Sequence, residues 1–463
     1  MGLGAGRQSR AGFLRRSEFG RKQGSGGFLD EIRASGRFKQ TRAAEKMRAS
    51  RDSPRSAAAR RRRRAETLSR VLLASVPLGS GHQPGLSPSG RLARITNAVL
   101  VSFNYRLGPL GFLALAALGP DVNHGLWDAA LALTWVRDNI RAMGGDPAKV
   151  TVVGADAGAS LALALLAASP QAGWGRLFQA AWLEGPSSVL NRTYAQVAKH
   201  NKAFFQQRSG CVNATCLRAL SAHDVIKAHL GKDDPSFRIR DQNDLPIQGI
   251  FPEQFLVVDG EPVRSKVPHF LLMRSSSQAV DLWPGPDDLG HWSWSQYKKY
   301  VTTSLDSFGS GITQMALQLY NITNATEPGV TPELVYTTMV TDLRVRLPTG
   351  KHGSPVYRYI SEVRPSKPVT ILGHVAPYSL HPWTLVAFFD NLALRDAVRE
   401  MALRFMRSGG RSVPVADWMR YPKTVALLRQ ANATWDVVSG ATYKKTECKF
   451  WTSEGLTQYA WIS

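Results

Sequence analysis

The chain has little of what most small-molecule and nucleic-acid chemistries need. Three cysteines in 463 residues are too few for a disulfide scaffold and lack the paired spacing of a zinc site, so no metal is expected. No segment of about 20 apolar residues is present to span a bilayer, and no apolar run near the N-terminus has the form of a signal-peptide core. A membrane anchor is therefore not visible in this chain. No cofactor is expected.

Acidic residues are also scarce, 35 against 58 lysines and arginines, for a formal charge of +23. The excess is uneven. Residues 1–64 hold 19 Lys and Arg against 5 Asp and Glu, a net of +14 that leaves +9 for the remaining 399 residues. This stretch is rich in Arg, Gly, Ser and Ala, lacks hydrophobic periodicity and ends in the run Arg60 to Arg64. Residues 1–67 are expected to be a disordered basic arm, because they bury too little apolar surface to offset ordering entropy. No aromatics are interleaved with the arginines as a single-strand groove requires, so no nucleic-acid partner is expected.

Beyond residue 67 the composition changes. Val71 to Val76 and Ala98 to Asn104 read as short buried strands, Leu126 to Met143 as a helix stopped by Gly144-Gly145-Asp146-Pro147, and Val150 to Val153 as a third strand. That strand runs into Gly154-Ala155-Asp156-Ala157-Gly158, after which Ala159 to Ala168 reads as a small-residue helix. Strand, helix, strand, tight glycine turn and helix is the order of a doubly wound, mostly parallel α/β sheet. Further strands are expected at Phe255 to Val258, Phe270 to Met273 and Val356 to Ile360, with helix over Val386 to Arg407. No internal repeat or linker divides this part, and residues 68–463 are expected to form one domain.

Two other features concern the compartment. Cys211 and Cys216 bracket the polar loop Val212-Asn213-Ala214-Thr215, where a small-loop disulfide can close under oxidising conditions. Glycosylation sequons stand at Asn191, Asn213, Asn321, Asn324 and Asn432, and together favour a secretory history.

The turn at Asp156 is the place to look for chemistry, because a Gly-x-Ser-x-Gly turn between strand and helix holds its central residue on a strained corner. Around it, Val99 to Leu113, Asn123 to Asp128, Leu131 to Ile140, Gly144 to Pro147 and Val150 to Gly154 resemble, in order and spacing, the type-B carboxylesterases and cholinesterases. Val257 to Gly260, Val356 to Arg364 and Cys448 to Trp451 resemble later segments of that family. The resemblance implies an α/β-hydrolase fold, N-terminally truncated because the family's first strands have no counterpart.

It also implies a serine nucleophile, a histidine base, an orienting acid and a backbone oxyanion hole. Asp156 takes the serine's place. The acid is expected near Ala279, where Asp281 is the nearest carboxylate, and the oxyanion glycines are replaced by Pro77-Leu78-Gly79-Ser80-Gly81-His82. His381 falls near the base's position, with His374 a less well-spaced competitor. Three of four parts are thus degenerate, and no catalytic residue is expected. Ser160 lies past the turn and cannot stand in for the nucleophile.

Cholinesterase-like proteins without a triad, among them neuroligins, neurotactin and gliotactin, act in adhesion and junction assembly. The resemblance therefore implies a non-catalytic protein at the cell surface or secreted, bound to a protein partner. The alternative is a hydrolase using Asp156 itself. The family further implies a small disulfide at Cys211 and Cys216, a Cys448 that is unpaired or bridges to another chain, and a homodimer to which the region Val425 to Ser463 supplies one helix.

Overall fold

The computed structural model describes residues 69–75, 88–120, 122–172, 177–186, 193–230, 244–246, 248, 256–257, 270–278, 286–320, 329–346, 355–364, 369–371, 374–376, 378–379, 383–389, 395–429 and 434–459. The basic arm, Ala279, Asp281, His381 and residues 77–82 lie outside them, as do Asn191, Asn321, Asn324 and Asn432.

Among the described residues ten strands occur: β1 Ser69–Ser75, β2 Ala98–Ser102, β3 Gly145–Ala155, β4 Ala180–Glu184, β5 Phe270–Ser276, β6 Val356–Ser361, β7 Val369–Ile371, β8 His374–Ala376, β9 Thr424–Leu428 and β10 Trp435–Ser439. Eight of them form one sheet in the order β10-β9-β6-β5-β4-β3-β1-β2, and β7 pairs with β8 separately. Every neighbour in the large sheet is parallel except β9 and β10. Strands β4, β6 and β9 are buried at every position. Central parallel strands covered on both faces show this uniform pattern. The edge strand β10 instead exposes Asp436 and Ser439.

The helices are α1 Gly90–Thr96, α2 His124–Asn139, α3 Ala157–Ala172, α4 Tyr194–Asn201, α5 Ala214–Ala219, α6 Ala222–Leu230, α7 Trp294–Leu305, α8 Ser310–Leu319, α9 Pro332–Thr341, α10 Trp383–Phe389, α11 Arg395–Arg407 and α12 Lys445–Ser453, with shorter turns between them. One sheet face packs Val150, Val152, Leu183 and Met273 against α2 and α3. The other packs Val153, Ala155, Trp182 and Tyr359 against Phe388 of α10 and Met401 and Phe405 of α11. Helices on both faces of a mostly parallel sheet are the three-layer arrangement that alternating β and α elements produce. A further helical cluster joins α7, α8, α9 and α12 through Val301, Tyr336, Met339 and Trp451.

One expectation is corrected. Leu256 and Val257 are not in a strand. The Asn123 side chain donates from Nδ2 to the Val257 carbonyl at 2.7 Å and accepts the Val257 N–H at 3.0 Å. One amide thus does locally what a ladder partner would do, so no neighbouring strand is needed. Within the region Val425 to Ser463, β9 and β10 form an antiparallel pair. Only Lys445–Ser453 is α-helical. Thr424, Val425, Val437 and Val438 are β-branched and suit a pleated surface, and the pairing of the two segments makes them strands.

Candidate functional site: the strand-to-helix elbow

The direction of chain growth reverses between β1 and β3. From β1 the chain moves outward to β2, then returns to place β3 on the other side of β1. In open α/β sheets the crevice at such a reversal, outside the carboxyl ends of the strands, is where ligands bind. β3 ends there at Ala155, and Asp156 follows.

Asp156 has φ +52°, a left-handed conformation in which a non-glycine residue is strained. Its N–H donates to the Glu184 carbonyl at 2.8 Å, which extends the β3–β4 pairing by one residue. Its own carbonyl accepts from Ala159 and Ser160 at 2.9 and 3.0 Å, opening α3. The corner can close only because the strand and helix are stripped of side chains where they meet. A Cβ on Gly154 would stand 2.6 Å from the Gly158 carbonyl oxygen and 2.7 Å from the Ala159 nitrogen. The elbow is thus fully formed, with aspartate at its tip.

The Asp156 side chain is half-buried, and burial pushes its carboxyl up from the ordinary 3.8 to about 7. No cation or hydrogen-bond donor among the described residues offsets that desolvation. Ser160, on α3, is buried.

The structure adds a charged group at the C-terminal ends of the neighbouring strands that sequence reading missed. Ala155, Glu184 and Arg274 are cross-strand partners, with Tyr359 next in register. Arg274 Nη1 donates to Glu184 Oε2 at 2.6 Å, and both side chains are wholly enclosed. Tyr359 donates its hydroxyl to Glu184 Oε1 at 2.8 Å and accepts from Trp182 Nε1 at 3.0 Å. Arg274 keeps Nε and Nη2 buried without a hydrogen-bond partner among the described residues. Burial holds the Glu184 carboxyl above its ordinary value, outweighing Arg274 and the two hydrogen-bonding neighbours. The signal in the sequence was a lone Glu closing the run Ala180 to Leu183 and a lone Arg closing Phe270 to Met273. Each is a charge placed where an apolar strand has no exposed position.

At the end of β5 the chain turns through Ser277 and Gln278. Gln278 is buried, accepting from Ser277 Oγ at 2.7 Å and donating to Thr338 Oγ1 at 3.3 Å. The last described side chain before Ala279 is therefore a carboxamide, held in place and unable to serve as an acid. His374 opens β8, and His381 precedes α10 without being described itself. The structure thus places Asp156 but does not bring a described histidine or acid to it.

Among the described residues no group of three or more His, Cys, Asp or Glu converges to hold a metal ion, and no helix is long and apolar enough to cross a membrane. Cys211 and Cys216 are joined in a disulfide with a Cα–Cα distance of 5.4 Å. It closes a loop beside the core of Leu115, Phe205, Leu217 and Ala228. Cys448 is half-buried on α12.

The sheet order and the strand, elbow and helix around Asp156 define an α/β-hydrolase fold. Residues 78–273 match the model of the carboxylesterase family. It is 29% identical over 378 residues to the para-nitrobenzyl esterase of Bacillus subtilis (strain 168), covering 74% of this chain and 71% of that protein. It is 34% identical over 166 residues to neurotactin of Drosophila melanogaster, covering 34% of this chain and 19% of that protein. A solved structure of a PNB esterase superposes with a TM-score of 0.58 at 26% identity, covering 82% of this chain and 81% of that one.

Proposed function

We propose that this chain is a non-catalytic member of the family that works through protein–protein contacts, in the manner of the cholinesterase-like adhesion proteins, at the cell surface or after secretion. The observation that carries the reading is the state of Asp156. A carboxyl attacking carbon must be ionised and needs donors to orient it. Here aspartate sits at the tip of the intact corner at φ +52°, no donor or cation among the described residues orients its carboxyl, and burial pushes it upward. The buried carboxamide of Gln278 beside the expected acid position is in keeping with this. So is the similarity to neurotactin. The Cys211–Cys216 disulfide favours an oxidising compartment. A large rigid fold whose site has lost its chemistry remains a surface for partners.

The second reading is hydrolysis with Asp156 as nucleophile, favoured by the intact elbow and the similarity to the para-nitrobenzyl esterase. One assay separates the two. The purified chain is offered para-nitrobenzyl esters, short-chain aryl esters, epoxides and haloalkanes. Turnover that disappears in Asp156→Ala would overturn the non-catalytic reading. Silence on every substrate, with retention of cells by beads coated with the chain, is the result expected.

A further inference from the structure

We propose that Asn213 is N-glycosylated, and that the sugar is added before the Cys211–Cys216 disulfide closes around it. The proposal rests on the extracellular reading above for its cellular setting, but the site itself is argued from geometry.

Asn213-Ala214-Thr215 lies wholly inside the disulfide loop. Asn213, Thr215 and Val212 are all exposed, Val212 to 74%. The two ends of the Asn213 amide have different fates. Oδ1 accepts the Cys216 N–H at 2.9 Å, while no described residue accepts from Nδ2, which is the atom a glycan would occupy. A sugar on Nδ2 therefore leaves the Asn213–Cys216 hydrogen bond in place. It would also stand beside Val212, an apolar side chain that the fold leaves almost uncovered.

In the transfer, Nδ2 attacks C1 of a lipid-pyrophosphate-linked oligosaccharide. The Nδ2–C1 bond forms, the C1–O bond breaks with its electron pair leaving on the pyrophosphate, and one amide proton passes to the transferring enzyme's base. The acceptor must be presented as extended, mobile chain. In the folded protein Asn213 is already fixed, its Oδ1 bonded to Cys216 N–H and its carbonyl accepting from Leu217 at 3.1 Å. The ring closed by the disulfide spans a separation of only five residues. Glycan addition and disulfide closure therefore compete for the same short loop, and addition has to come first.

The test uses the full chain expressed in mammalian cells behind a cleavable secretion leader. The tryptic peptide Ser209 to Arg218 is analysed after enzymatic deglycosylation in heavy-oxygen water, which marks a formerly glycosylated Asn213. The expected result is a marked peptide in the leader-bearing protein. Loss of the mark is expected in Thr215→Ala, a variant that leaves the Asn213 hydrogen bond and the disulfide intact, so its melting temperature should not change. Cys216→Ser, which prevents closure, should raise the marked fraction. An unmarked peptide in leader-bearing protein that has been secreted overturns the site, and a marked fraction unchanged in Cys216→Ser overturns the order of events. The leader supplies entry to the secretory pathway, so the mark reads the site alone, and the extracellular reading fails separately, in the bead assay.

Discussion

Arg274 and Glu184 form an ion pair at 2.6 Å in which neither side chain meets solvent. Desolvation makes such a pair a weak source of net stability but a costly one to break in half. Arg274→Met leaves a buried carboxylate with only Tyr359 and should lower unfolding free energy by ~3–5 kcal/mol, whereas Arg274→Met combined with Glu184→Leu should recover most of the loss. Urea denaturation of the two single variants and the double variant checks this. Equal losses in the double variant and the sum of the singles would show that the groups are not coupled.

Asp156 gives a stability effect with a definite sign. Its carboxyl is raised from 3.8 to about 7 in the folded chain, so between those values the folded state binds more protons than the unfolded state. Stability is then lost as pH rises through that window. Asp156→Asn removes the titration. Below about pH 4 the variant and the wild type should melt alike, and the variant's advantage should grow through pH 7 and level off, with a ceiling of about 4 kcal/mol. Melting curves from pH 4 to pH 8 decide it, and a constant difference across the range would contradict the assignment.

Gly154 and Gly311 make a contrasting pair. A methyl on Gly154 collides with the Gly158 carbonyl at 2.6 Å, whereas one on Gly311, inside α8, meets nothing within 4 Å. Gly154→Ala should destabilise by ~1–3 kcal/mol through overpacking. Gly311→Ala should stabilise by about 0.5–1 kcal/mol through helix propensity and unfolded-chain entropy. Thermal unfolding of both variants measures the two effects independently.

Replacing the elbow residue with serine should not create an esterase. Asp156→Ser keeps the corner, but at the end of β5 the available group is the Gln278 carboxamide, engaged by Ser277 and Thr338. Hydrolysis of para-nitrobenzyl esters by the folded variant should remain at the solvent background. A burst of product in stopped-flow records would show that a base does reach the elbow.

Much of the sheet could be read from the sequence because its signals are local. Val99 to Ser102 and Val150 to Val153 are short apolar runs punctuated by turns, and Gly154 and Gly158 mark the close approach that the elbow needs. The stop after α2 was equally plain, for Gly144 adopts φ +84°. What could not be read depends on partners far away in the chain. Thr424–Leu428 is an apolar run without a decisive period, and only its pairing with Trp435–Ser439 and with β6 makes it a strand. The Glu184–Arg274 pair was hidden for the same reason, since register across β4 and β5 decides whether two isolated charges meet. Val257 was misread because a side chain, Asn123, supplies its hydrogen bonds.

The same charged cluster has a consequence for how the chain reaches its native state. Arg274 lies 90 residues from Glu184 along the chain, and Tyr359 lies 175. Until β4, β5 and β6 come together in register, Glu184 has no counter-charge, and a sheet assembled from β3 and β4 alone would enclose a bare carboxylate. Assembly therefore favours the four strands joining in one concerted late step, at the slow rate that contacts so distant in sequence impose. Until that step the apolar strands of a nascent chain stay exposed, the condition under which large chains aggregate.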